Sequence, residues 1–277
     1  MVISTEVSQA SPAHRPGDRP DPPFNPSSAE HRAIEQQYPS CDGQPMAENT
    51  EHFDWIAKFK ANLELLFAQD PQVFVAGDLL WYPVEGDPKQ RQAPDTMVVF
   101  GRPKGPRGSY LQWREEGIAP QVVVEILSPG NRFGEMLKKF QFYDRFGVEE
   151  YYLYDYGRNE LTVWVRSPET SQLAEVEFGQ TWTSPRTAVQ FHLSADRLAL
   201  IRPDGRPFLS FVELDQERQA AVDLASQERQ RAEQERQRTE QERQRAEQER
   251  QRAEQERQRA DRLAALLRVQ GIDPDQL

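Results

Sequence analysis

From about Asp215 onward the chain falls into a seven-residue repeat, QERQRAE with one QERQRTE, running almost to the C-terminal end. Its residues are strong helix formers, so the segment is expected to be helical. Within the repeat units themselves alanine is the largest apolar side chain, so they cannot enclose a hydrophobic core of their own. A heptad suggests a coiled coil, which needs apolar residues at its a and d positions. With Ala232, Thr239, Ala246, Ala253 and Ala260 at a, the d positions hold Glu235, Glu242, Glu249 and Glu256. That seam is poor. Pairs such as Glu233–Arg236 and Glu235–Arg238, three residues apart, are each worth a few tenths of a kcal/mol, on the order expected for solvated helix pairs. A solvated single helix and a weak alanine-seamed homo-oligomer both remain open. The arm is placed at 215–268, with a tail at 269–277; Leu263, Leu266, Leu267 and Ile272 form a short apolar patch near the end.

The core must then come from the rest of the chain. Residues 1–45 are rich in Pro, Ser, Asp and His, a composition that buries little apolar area, and are expected to be a disordered tail. Residues 46–214 hold nearly all the aromatic and β-branched side chains. Phe53, Ile56, Phe59, Leu63 and Leu66 recur at helical spacing, with Asn49 or Thr50 as the N-cap. Strand-like runs follow at 73–83, 96–100, 121–127, 151–155 and 160–166. A second helix lies between the third and fourth, at about 133–146, and Gly157-Arg158-Asn159 forms the turn of a terminal hairpin. The expected fold class is α/β, an antiparallel-rich mixed sheet in the order α-β-β-β-α-β-β.

Composition excludes some functions. The longest apolar runs fall well short of the ~18 residues that would span a bilayer, and the N-terminus lacks the apolar stretch of a signal peptide. A single cysteine, Cys41, fits a reducing, cytoplasmic setting, and with four scattered histidines it makes a Cys/His zinc site untenable. The net charge is -11. Residues 216–262 contribute twelve acidic and twelve basic side chains, so the remaining 33 acidic and 22 basic residues carry the whole excess. An acidic body is not the usual footprint of a nucleic-acid binder.

One residue disturbs the strand QVVVEIL. Glu125 lies within Val122, Val123, Val124, Ile126 and Leu127, and a buried carboxylate needs a partner or a task. Asp95, in QAPDTMVVF, follows a proline and opens another apolar strand. Adjacent strands presenting one carboxylate each can hold a hard divalent cation such as Mg²⁺ or Mn²⁺.

An Asp after a proline, then an apolar strand carrying a Glu, resembles the PD-(D/E)XK nuclease superfamily, whose restriction-endonuclease-like core has the order α-β-β-β-α-β. The lysine expected two residues after the Glu is absent, since Ile126 and Leu127 follow. The longer strings PDTMVVF, VVVEILSPGN and KKFQFYDRFGVEEYYLYD are similar to the Uma-type restriction endonucleases of bacteria, over about residues 48–200. In that family the lysine has moved onto the following helix, which implies Lys139, or Lys138 beside it, as the catalytic lysine. The resemblance further implies Asp95 and Glu125 as metal ligands and catalytic residues, Glu135 in place of a family Asp, and His52 as a histidine near the site. Spacing separates the two lysines: Lys139 is four residues from both Glu135 and Tyr143, whereas Lys138 points about 100° away.

The function implied is a Mg²⁺- or Mn²⁺-dependent endonuclease hydrolysing DNA. The rival is an inactive nuclease-fold scaffold assembled through its arm, which the acidic body favours. Lys89, Arg91, Arg114, Arg132 and Arg145, with Arg102, Lys104 and Arg107 in GRPKGPRG, are the cations available to a phosphate backbone, although GRPKGPRG reads equally well as an ordinary solvated hairpin loop. Trp81, Tyr82, Trp113 and Trp164 are expected to pack the core rather than stack on bases.

Overall fold

The computed structural model describes residues 28–43, 46–128 and 133–269, with backbone alone at His31, Phe133 and 266–269. The chain divides into two units, residues 1–210 and 211–277.

The first unit is built on a six-stranded mixed sheet. In chain order its strands are β1 (Val73–Ala76), β3 (Thr96–Phe100), β5 (Val122–Leu127), β6 (Glu150–Asp155), β7 (Glu160–Arg166) and β8 (Leu173–Glu175), and they lie side by side in that order. All neighbours are antiparallel except β5 and β6. A parallel pair cannot be closed by a hairpin and needs a crossover. Helix α3 (Phe133–Arg145) supplies it.

Strand periodicity sorts the apolar side chains onto two faces. Val122, Val124 and Ile126 join Ile56, Phe59 and Leu63 of helix α2 (Thr50–Leu66). Val123 joins Phe142 and Tyr143 of α3 on the other face, with Met97, Val99 and Tyr151. Helix α2 starts where expected: the Asn49 side chain accepts the His52 backbone N–H at 2.9 Å. A three-stranded sheet, β9 (Thr181–Thr183), β10 (Gln190–Leu193) and β11 (Leu198–Ile201), shares the α2-side core through Phe191, Leu198 and Leu200.

Three sequence expectations change. The run 73–83 is not one strand; it breaks at Gly77-Asp78, and Trp81–Tyr82 (β2) instead pairs in parallel with Tyr110–Leu111 (β4). Ordered structure begins before residue 46, because Ala29–Gln37 forms helix α1. That helix precedes Tyr38, which is buried against Tyr82, and Glu30 pairs with Arg114 at 3.2 Å. The expected unstructured stretch therefore does not include 28–43, while residues 1–27, 44 and 45 lie outside the described residues. Third, the strands of the small sheet went unread, since short edge segments of three or four residues leave little periodic signal. Trp81 and Tyr82 are fully buried, in keeping with a packing role.

The second unit is helix α4 (Phe211–Val269), starting four residues before the expected boundary. The expected tail at 269–277 lies almost wholly outside the described residues. Within α4 the first pair, Arg218 with Asp215 at 2.8 Å, joins positions three apart, while in the repeat itself the contacts join positions four apart: Gln237 donates to Glu233, Gln244 to Glu240, and Arg238 pairs with Glu242 at 3.0 Å. Glu233 thus meets Gln237, one of the two neighbours, three or four residues away, that a helix face offers it. No described helix is long and apolar enough to cross a membrane.

A buried carboxylate ties the small sheet to the large one. Glu150 opens β6 at 1% exposure and accepts from Tyr152 Oη (2.7 Å), Ser184 Oγ (2.6 Å) and the Arg186 backbone N–H (2.6 Å). Removing such an acceptor leaves buried donors unsatisfied. Glu150→Ala is expected to lower stability by about 2–4 kcal/mol, measured by urea unfolding followed by tryptophan fluorescence.

Candidate active site

Register brings the carboxylates together. β3 and β5 pair Thr96 with Val124 and Met97 with Val123, so one step further Asp95 faces Glu125. Glu125 shares the parity of Val123 and therefore points to the α3 face. The Asp95 carboxylate reaches across the strands, its Oδ2 accepting the Ile126 backbone N–H at 2.7 Å. On the far side, β1 pairs Ala76 with Met97. Continuing that register sets Asp78 beside Asp95, and the Asp78 backbone N–H donates to the Pro94 carbonyl at 3.0 Å. Asp78 has φ +48°, and a Cβ on neighbouring Gly77 would approach the Asp95 carbonyl at 3.3 Å. Three acidic residues thus form a row at one end of the sheet.

Helix α3 delivers the cation. Lys139 Nζ donates to Glu125 Oε2 at 2.7 Å, and one turn later the buried Tyr143 hydroxyl donates to Glu125 Oε1. Both contacts come from one stripe of the helix, as their spacing of four requires. Lys138 and Glu135 are exposed, so of the two lysines it is Lys139 that meets Glu125. The fourteen residues separating them are spanned by the crossover.

His52 approaches from the N-terminus of α2. Its Nδ1 accepts the Glu48 backbone N–H at 3.2 Å, which places the ring proton on Nε2, 3.3 Å from Asp95 Oδ2. That contact with Asp95 raises the His52 pKa against the opposing effect of burial. Ser128, buried just beyond β5, donates through its hydroxyl to the Glu48 carboxylate.

Burial pushes the Glu125 carboxyl up to about 7, with Lys139 opposing and Asp95 adding to the rise. Asp78 is raised to about 6, first by burial and then by the Asp95 charge. Lys139 feels burial most, which lowers it, but the Glu125 and Asp95 charges outweigh this and hold it above the ordinary lysine value. The site therefore keeps a charged ammonium among carboxylates that repel one another.

Asp78, Tyr143, Glu48 and Ser128 were not singled out from sequence as site residues. Asp78 carried a readable signal, a charged residue inside the apolar run VFVAGDLLWYP, the same oddity that marked Glu125. The cations of GRPKGPRG are committed within the protein. Arg102, only 9% exposed, pairs with Glu115 (2.8 Å) and Glu116 (2.5 Å), Arg107 pairs with Glu115 (2.6 Å), and Lys104 donates to the Phe67 carbonyl (2.6 Å). Glu115 and Glu116 neutralise the two arginines, which is what the ordinary-loop reading of this segment requires. Arg132 lies outside the described residues.

The family model described as "Putative restriction endonuclease", Uma2, matches residues 28–196. The chain belongs to the Uma2 family. The Uma2 match takes in α1 and every residue of the site, beginning about twenty residues before the segment in which the sequence resemblance lay. A second model, for a Helicobacter pylori protein of unknown function, matches residues 190–271, mostly the long helix. A solved structure described as a putative nuclease from Anabaena variabilis is 18% identical, covering 54% of this chain and 82% of that one, with a TM-score of 0.38. No curated protein matches the chain.

The raised Glu125 carboxyl gives a pH test. Its folded pKa lies above the value of about 4.3 for a free Glu side chain, so its contribution to stability is complete below that value and is lost as pH rises through about 7. Glu125→Gln removes the titration. In metal-free buffer the melting temperature of the variant relative to the parent is expected to increase by about 2–6 °C between pH 5 and pH 8, read by calorimetry. A relative decrease would mean that the ionised carboxylate is the stabilised form.

Proposed function

We propose that this Uma2 protein is a metal-dependent endonuclease that hydrolyses phosphodiester bonds in DNA, with Asp95 and Glu125 as the ligands of a Mg²⁺ or Mn²⁺ ion. The observation that carries the reading is the contact between Glu125 and Lys139, which restores at fourteen residues' separation the carboxylate–lysine pair the superfamily keeps on one strand.

The donor set fits a hard cation. Asp95 and Glu125 offer oxygen only, on neighbouring strands at one end of the sheet, and Mg²⁺ sites commonly use one or two carboxylates with water completing the shell. Among the described residues no three acidic, histidine or cysteine side chains group to enclose an ion. When bound, the ion would supply charge neutralisation at the phosphate and a more acidic water.

The chain's own residues would do the positioning. Tyr143 holds Glu125 by one oxygen and leaves Lys139 as the exchangeable partner on the other. The Lys139 ammonium, kept charged by its neighbours, would face the water or a phosphate oxygen and stabilise negative charge developing there. His52 Nε2 and the Ile126 N–H both meet Asp95 Oδ2 and fix the carboxylate through that one oxygen.

Plasmid and single-stranded DNA cleavage with Mg²⁺, alongside Mn²⁺ calorimetry, tests the reading. Asp95→Ala and Glu125→Ala are expected to lose both cleavage and Mn²⁺ binding. Lys139→Ala is expected to cut about 100-fold more slowly or worse while still binding Mn²⁺. Cleavage at the parent rate in the carboxylate variants would end the mechanism, and a parent that binds no Mn²⁺ at millimolar concentration would favour the scaffold.

A further inference from the structure

We infer that helix α4 is an interaction surface for a second copy of this chain, and that the two copies pair in parallel. The inference is independent of the nuclease reading. Ala225, Ala232, Thr239, Ala246, Ala253 and Ala260 recur every seven residues on a helix that is exposed along this whole stretch. What gives the face a direction is the charge on its two sides.

On a helix of 3.6 residues per turn, a residue three positions on lies about 60° to one side of its starting row, and one four positions on about 40° to the other. Three residues after each alanine or threonine stands a glutamate: Glu228, Glu235, Glu242, Glu249 and Glu256. Four residues after stands an arginine: Arg229, Arg236, Arg243, Arg250 and Arg257. The next rows outward reverse the signs, with Arg231 and its repeats beyond the glutamates and Glu233 and its repeats beyond the arginines. The small-residue row therefore has an acidic edge and a basic edge, each backed by the opposite charge.

A twofold axis along the helices places the acidic edge of one copy against the basic edge of the other, on both sides of the alanine row. A twofold axis across the helices places acidic against acidic and basic against basic. The outer rows follow the same rule, so four facing rows match in the parallel pair and four clash in the antiparallel one. Complementarity of this kind decides orientation even where each exposed pair is weak.

Apolar side chains close both ends of the charged stretch. Val222 takes a position of the arginine edge and Leu263 one of the glutamate edge, with Leu224 close by; they are 52%, 53% and 58% exposed, respectively, as large apolar groups on a highly polar helix. A second copy would cover them, adding burial that the alanine row alone does not provide. The seven-residue period, kept over five repeats, needs only the left-handed winding ordinary in paired helices to stay in contact.

Disulfide trapping in the full-length chain tests this. Cys41, the only native cysteine and an exposed one, is first replaced by serine. Ala225→Cys and Ala260→Cys are then made separately, since a disulfide needs Cα atoms about 4.4–6.8 Å apart. Each variant alone is expected to form a covalent dimer on mild oxidation, and the Cys41→Ser parent to sediment at twice the chain mass in low salt. Crosslinking only when the two variants are mixed would show antiparallel pairing and overturn the inference, as would a monomeric mass at 50 μM, an on-the-order-of concentration at which weak coiled coils assemble. A charge-swap pair guards against loss of helix as the explanation. Converting the five glutamates of the acidic edge to lysine, or the five arginines of the basic edge to glutamate, should leave each variant monomeric, while their equimolar mixture regains the doubled mass.

Discussion

Glu125 is almost completely buried, and the rest of the site is arranged around what that burial requires. An ionised carboxylate in a protein interior is costly unless charge and hydrogen bonds meet both of its oxygens. Lys139 and Tyr143 do so from successive turns of α3. The helix lies over that end of the strand because β5 and β6 run parallel, and a parallel pair needs a crossover packed on the sheet. The same topological requirement thus builds the core and delivers the lysine.

The compensation is incomplete, and the shortfall is informative. Glu125 remains raised to about 7 and Asp78 to about 6, while Asp95 adds to both. Acidic residues in a row across neighbouring strands repel one another, and one ammonium does not neutralise them. A site of this kind gains stability when positive charge enters it, which is the electrostatic basis of the proposed cation. The acidic body belongs to the same picture. With Arg102 and Arg107 committed to Glu115 and Glu116, the loop beyond β3 keeps Lys104 as its exposed cation.

Much of this was legible from residues one turn or one strand apart. The helix start at Asn49 or Thr50, the strands 96–100 and 160–166, and the shared stripe of Glu135, Lys139 and Tyr143 follow from local spacing, because a helix stripe and a strand face are set by the periods 3.6 and 2. Asp78 escaped because the run 73–83 was read as one continuous strand, which gave its charge no site to belong to. Helix α1 escaped because it lies among proline-rich neighbours and is held by partners far along the chain, Tyr82 and Arg114.

The sequence by itself determined the long polar helix, with its charged edges, and the apolar strand that buries Glu125. It also placed Tyr143 and Lys139 on one helix stripe. All of these are relations within a single element, where backbone geometry dictates which side chains share a face. Only the tertiary structure decided that Asp78, Asp95 and Glu125 stand in one row with His52 against it. That row depends on the register between β1, β3 and β5, and register is set by the packing of two cores on either face of the sheet, which no local period records.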